Sequence, residues 1–127
     1  MWAHNLHVAN AHADGGFTGM GEILAQRRRA QMYTVGFYMG RGVVGNGQDT
    51  VWTVAPPPAG TVEGVLANGG FNYAFVDFSQ AVPGPSTAWF TEKNVVREFG
   101  TAPRTIVPAR AYDAIFYIDT VTPAEKY

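Results

Sequence analysis

Between Gly19 and Arg29 the apolar side chains recur at Met20, Ile23 and Leu24, and spacings of three and four mark one buried face of a helix. Arg27, Arg28 and Arg29 fall in its last turn, where cations complement the helix dipole. From Gln31 to Gly40 the pattern changes to dense aromatic and branched residues, which predicts a strand buried on both faces. Val51–Val54 reads as a short strand closed by Pro56, Pro57 and Pro58. Thr61 then caps a helix running through Asn68, with Glu63 in its first turn and Gly69-Gly70 to end it. Tyr73–Asp77 is a further strand, and the run Phe71, Tyr73, Phe75 and Phe78 reads as core. After a loop at Pro83-Gly84-Pro85, residues Thr87–Phe99 read as more helical than extended. Asp113–Ile118 is a last strand, ending near Pro123. At the other end, Met1–Ala3 reads as the tail of a buried strand, His4–Gly16 as a loop, and Arg41–Gln48 as a Gly-rich loop.

Strands alternating with helices at short connections predict an α/β fold with a parallel or mixed sheet flanked by helices. Ligands in such sheets collect beyond the carboxyl ends of the strands. His4 and His7, just after the Met1–Ala3 segment, are expected at that place.

Composition narrows the function classes. The chain has 127 residues, enough for one domain, with 46% hydrophobic and only 15% charged residues. The charged share is well below the ~25% of ordinary soluble domains, so part of the surface is expected to be apolar. A net charge of −1 leaves no electrostatic footprint for nucleic acid or for an anionic membrane. No apolar stretch approaches the ~20 residues that cross a bilayer, and there is no signal-peptide pattern. With zero cysteines, a reducing, cytoplasmic setting is the expectation.

All three histidines, His4, His7 and His12, fall in the first twelve positions. His4 and His7 could hold a metal only with a further ligand, and His12 or Asp14 would serve on spacing alone. No strong zinc signature is present, so no metal is expected. Acid–base work fits better, because imidazole titrates near neutrality and Asn5 offers an amide to orient a ring or polarise a carbonyl. Solvated loop histidines are the plain alternative. Gly40-Arg41-Gly42 lacks a phosphate-loop lysine and reads as a strand-ending turn, with Arg41 free to clamp a carboxylate or steady an oxyanion. No Gly-x-Ser-x-Gly elbow supports a serine nucleophile.

Trp2-Ala3-His4-Asn5-Leu6-His7-Val8 resembles the Trp-Ala-His-Asn-x-His-Val motif of the erythromycin esterase family. Met20-Gly21-Glu22-Ile23-Leu24 resembles the Met-Gly-x-x-Leu helix that follows it, and Gly36–Gly42 resembles the Gly-Phe-x-x-Gly-x-Gly strand. Thr61-Val62-Glu63, Phe75-Val76-Asp77 and Tyr112–Pro123 are similar to the family's C-terminal region, so the resemblance covers nearly the whole chain.

The resemblance implies a hydrolase that opens an ester by activated water rather than by a covalent serine, best known for cleaving macrolide lactones. It makes His4 and His7 the active-site groups that position water or substrate and stabilise developing charge. Asn5 and Arg41 are the substrate-binding candidates beside them. It implies a small-molecule ester or lactone as partner and no cofactor. Family members are longer and carry a Gly-Glu-x-x-His-Gly motif, thought to supply the principal general base, which is not in this sequence. The expectation is that residues 1–127 form the C-terminal segment of an erythromycin-esterase-like domain, an incomplete part of a larger three-layer α/β/α unit. Such a segment would be weak or inactive alone and would self-associate through an exposed sheet edge. The alternative is a small non-catalytic binding or oligomeric module that reuses the fold.

Overall fold

The structure is a computed structural model that describes residues 1, 3–12, 17–45 and 50–123. Its centre is β1 (Val35–Gly45), paired in parallel with β6 (Ala114–Val121) from Val35↔Ala114 to Gly42↔Val121. β2 (Val51–Val54) folds back antiparallel on the end of β1, and β3 (Tyr73–Asp77) runs antiparallel to β6, giving the order β2-β1-β6-β3. Asp113 ties the starts of the two central strands together. Its carboxylate accepts the Thr34 N–H at 2.7 Å and the Arg29 guanidinium, and its own N–H bonds Thr34 O at 2.8 Å. The helices are α1 (Asn5–Val8), α2 (Met20–Arg28), α3 (Val62–Asn68), α4 (Ala88–Thr91) and α5 (Pro108–Ala111). A second sheet is the hairpin of β4 (Asn94–Glu98) and β5 (Ala102–Ile106). The fold is therefore α/β with a mixed sheet and helices packed on it. Among the described residues no helix is long and apolar enough to cross a membrane.

Alternation along the central strands separates the two sheet faces. Tyr38, Ile115 and Tyr117 are buried on one face against Val62 and Leu66 of α3 and Val96 and Ile106 of the hairpin. Thr61 starts α3 as the capping pattern predicts, its hydroxyl accepting the Gly64 N–H at 3.0 Å. On the other face Phe37, Phe116 and Phe75 lie side by side in register across β1, β6 and β3. Phe37 is 43% and Phe75 55% exposed, and Phe71 and Tyr73 are exposed as well. Of the aromatic run expected in the core, only Phe78, just beyond β3, is buried.

Other expectations change for local reasons. The helix expected over 87–99 stops after Thr91, and Asn94–Glu98 is a strand. Valines at 95 and 96 face Thr105 and Arg104 across a turn at Phe99-Gly100 with positive φ at both residues, which is hairpin chemistry. Arg41–Gly45 is not loop but the last part of β1, where Arg41 pairs with Thr120 of β6 and Gly42–Gly45 pair with β2, while 46–49 lie outside the described residues. Met1 and Ala3 are not in a strand; Trp2 lies outside the described residues. The helix at 20–28 is present, yet Met20, Ile23 and Leu24 are 44%, 45% and 37% exposed. Its buried residue is Gly21, where an added Cβ would lie 2.0 Å from the Val8 carbonyl oxygen. Backbone contact through glycine, rather than the apolar stripe, docks α2 on α1.

Candidate functional site

α1 is one turn long, far too short to hold itself, and side chains fix it at both ends. The Asn5 amide bridges the free edge of β1, accepting the Phe37 N–H at 2.9 Å and donating to Phe37 O at 2.5 Å. One amide side chain thus occupies a rung that a neighbouring strand would otherwise fill. At the other end, Asn10 N–H bonds Ala111 O at 2.8 Å and its side chain accepts the Thr34 hydroxyl at 2.8 Å. Asn5, a substrate-binding candidate, therefore has a positional task, with one N–H and one lone pair remaining. The site lies beside the edge of β1, not beyond the carboxyl ends of the strands.

His4 is the N-cap of α1, not a loop residue, and its Nδ1 accepts the Leu6 N–H at 3.3 Å. Its ring stacks on Phe99 with centroids 4.1 Å apart, and Nε2 lies 3.5 Å from Glu98 Oε2. Phe99 reaches that position by adopting φ 55°, a left-handed conformation that costs a residue with a Cβ about 1–3 kcal/mol. His7, one turn on, is exposed, with its ring centroid 6.4 Å from that of His4. His4 and His7 are thus brought together as the sequence pattern suggests.

Burial lowers the pKa of His4, and the positive fields of His7 and Arg104 lower it further. Glu98 is 8% exposed, and burial raises its pKa, opposed by Arg104 and assisted by the charge of Glu63. Arg104 reaches on to His12 Nδ1 at 2.9 Å, so His12 belongs to this cluster through a guanidinium rather than through a metal. Among the described residues no group of three or more His, Asp or Glu could hold a metal ion; Asp14 lies outside them.

An open groove of about 970 Å³ runs beside the free edge of β1, within the range of small-molecule sites, ~300–1,000 Å³. His4, Asn5 and Phe99 line one side, and Leu24, Met32 and Trp52 add apolar surface. Trp52 Nε1 donates to Phe99 O at 3.4 Å, joining β2 to the hairpin tip. Beneath the tip, Arg97 donates to Ala55 O at 2.8 Å and Gly40 O at 2.7 Å, while Glu63 accepts the Arg97 N–H at 2.7 Å. Burial raises the Glu63 pKa against that bond. Arg41 does not join His4. It lies further along β1 toward the carboxyl end, with Nη2 3.1 Å from Asp119 Oδ2, at a separate small pocket with Pro56 and Asn68.

Glu98 and Phe99 escaped the sequence reading. The available signal was two β-branched pairs, Val95-Val96 and Thr105-Ile106, around Gly100.

The protein is 26% identical over 98% of its length to the "Putative hydrolase YbfO" of Bacillus subtilis (strain 168), and spans 30% of that relative. Two solved structures share the fold: a Bacillus cereus protein, with a TM-score of 0.76 and 18% identity, and a succinoglycan biosynthesis protein, with 0.78 and 20%. In both cases the match covers 94% of this chain and 32% of the other. The profile of the erythromycin esterase family matches residues 1–121, with the α1 histidines, the glycine-docked α2 and the central strands all inside the match, and the chain belongs to that hydrolase family.

Proposed function

We propose that this chain provides the histidine wall of an ester-hydrolysing centre, acting by activated water on a small-molecule ester or macrolactone. The observation that carries this reading is the placement of His4 and His7 on one braced turn, with His4 at the edge of a groove of small-molecule size. Ester hydrolysis needs a proton taken from water, stabilisation of the carbonyl oxygen as it becomes anionic, and a proton for the departing alcohol. Two imidazoles 6.4 Å apart at centroid can share these tasks across one carbonyl carbon. The lowered pKa of His4 keeps it neutral at physiological pH, able to exchange protons rather than sit as a fixed cation.

The family description, erythromycin esterase, favours a lactone among esters. Groups that act as a unit lose rate together, so two histidines without a further acid–base pair give slow turnover. The 127-residue chain should hydrolyse activated aryl esters slowly and macrolides more slowly still, with His4→Ala and His7→Ala each abolishing the rate. Equal rates in the wild type and both variants would refute the assignment. The apolar lining of the groove favours a second reading, a binding module, which predicts calorimetric binding of such esters with no product formed and no dependence on His7.

A further inference from the structure

His4 has a use for each ring nitrogen, and the two uses determine where its proton sits. Nδ1 accepts a backbone N–H from Leu6, so in the neutral ring that nitrogen carries the lone pair and the proton is on Nε2. Nε2 in turn points to a carboxylate from a different element. Glu98 Oε2 lies 3.5 Å away, is buried, and makes no hydrogen bond among the described residues. The ring face is clamped at the same time, because Phe99, the residue after Glu98, stacks on it at an interplanar angle of 19°.

We propose that Glu98 and Phe99, delivered together by the β4–β5 turn, are positioning residues for His4: the carboxylate holds the proton on Nε2 and the aromatic ring fixes the plane. Both ring nitrogens of His4 are then engaged, so His4 acts through its oriented neutral ring at the groove edge and the proton it shares with Glu98, while exposed His7 faces water as the proton acceptor. A carboxylate bonded to one imidazole nitrogen commonly selects the tautomer and orients the ring. Here the left-handed backbone at Phe99 and the glycine after it bring the carboxylate and the clamp to the ring from one turn.

The surrounding charges are accounted for. His7 on α1 and Arg104 on β5 repel a proton from His4, and the Glu98 carboxylate on β4, 3.5 Å from Nε2, faces the ring with the opposite sign. Glu63 on α3 acts on Glu98 rather than on His4, and the charge of Glu98 in turn helps to raise the pKa values of the neighbouring Tyr38 and Tyr112. Burial is the larger influence on His4, so its titration midpoint stays below 6.5 with the carboxylate in place.

The catalytic consequence rests on the reading of α1 as part of a hydrolytic centre; the tautomer and the titration do not. Nitrogen-15 and carbon-13 NMR of the histidine rings in the 127-residue chain reads both directly. The expected result is the Nε2–H tautomer for His4 at neutral pH, a fall in its titration midpoint in Glu98→Gln, and recovery toward wild type in Glu98→Asp. Phe99→Ala, at an exposed turn tip, should keep the fold and let a mixture of tautomers appear. An Nδ1–H tautomer in the wild type would overturn the proposal. So would an unchanged or raised midpoint in Glu98→Gln, or an unaltered tautomer in Phe99→Ala. Should Glu98→Gln not fold, the wild-type tautomer and Phe99→Ala decide. If these NMR results hold while no ester is cleaved, the hydrolytic reading fails and the positioning of His4 stands.

Discussion

The two faces of the central sheet are built from the same kinds of residue and have opposite fates. Ile115 and Tyr117 on one face are fully buried under α3 and the hairpin, whereas Phe37 and Phe75, one rung away on the other, are 43% and 55% exposed. Hydrophobicity is equal on both sides; cover is not. Burial of apolar area is what stabilises, at roughly 25 cal/mol per Å² removed from water. The stability of the chain should therefore reside on one face, and the open face should be available for contact.

The sharpest break of that contrast is on the covered side. Glu63→Ala leaves the Arg97 guanidinium buried without its carboxylate and the Arg97 N–H without its acceptor, and should cost about 3–5 kcal/mol in urea denaturation. Next comes a matched pair. Ile115→Ala should cost about 2–5 kcal/mol, while Phe75→Ala, on the open face of the neighbouring strand, should change stability by about 0.5 kcal/mol or less. Equal losses in the two variants would show that the open face is covered in solution.

Gly21→Ala tests the docking of α2. The methyl would meet the Val8 carbonyl, and a cost of about 1–3 kcal/mol is expected together with altered ring signals from His7, the residue before Val8 in α1. Thr61→Ala, which removes only the cap of α3, should cost about 1 kcal/mol.

The smallest effect is the pH dependence. His4 has a folded pKa below its unfolded value of 6.5, so the folded state binds fewer protons just below that pH and stability is lost on acidification through the window. Glu63 and Glu98 have folded values above 4.5, so the stability they contribute when protonated is lost as pH rises from 4.5 through those values. Thermal melts of His4→Gln should show a shallower decline between pH 6.5 and 5.5 than those of the wild type.

Wherever cover or capping followed from neighbours in the chain, the pattern of residues was sufficient. The α3 cap at Thr61, the closing strand and the pairing of His4 with His7 on one segment are of this kind, because each depends on residues within a turn or two. Legibility failed where the answer depended on distant partners. The segment 87–99 has a helical look locally, yet Asn94–Glu98 pairs with Ala102–Ile106 and places two of its residues on His4. The stripe Met20, Ile23, Leu24 has helical spacing, yet contact with α1 goes through Gly21. Asn5 looked like a ligand for substrate, and the free edge of β1 uses its amide.

The sequence by itself determined the helix and strand content of most segments, the family, and the residue types capable of chemistry, since propensity, capping and motif spacing are local properties. Tertiary structure alone decided which face of the sheet is covered, which carboxylate faces His4, and that Arg41 stands apart. Those outcomes depend on which surfaces the chain brings into contact, and burial and electrostatic fields exist only once it has done so.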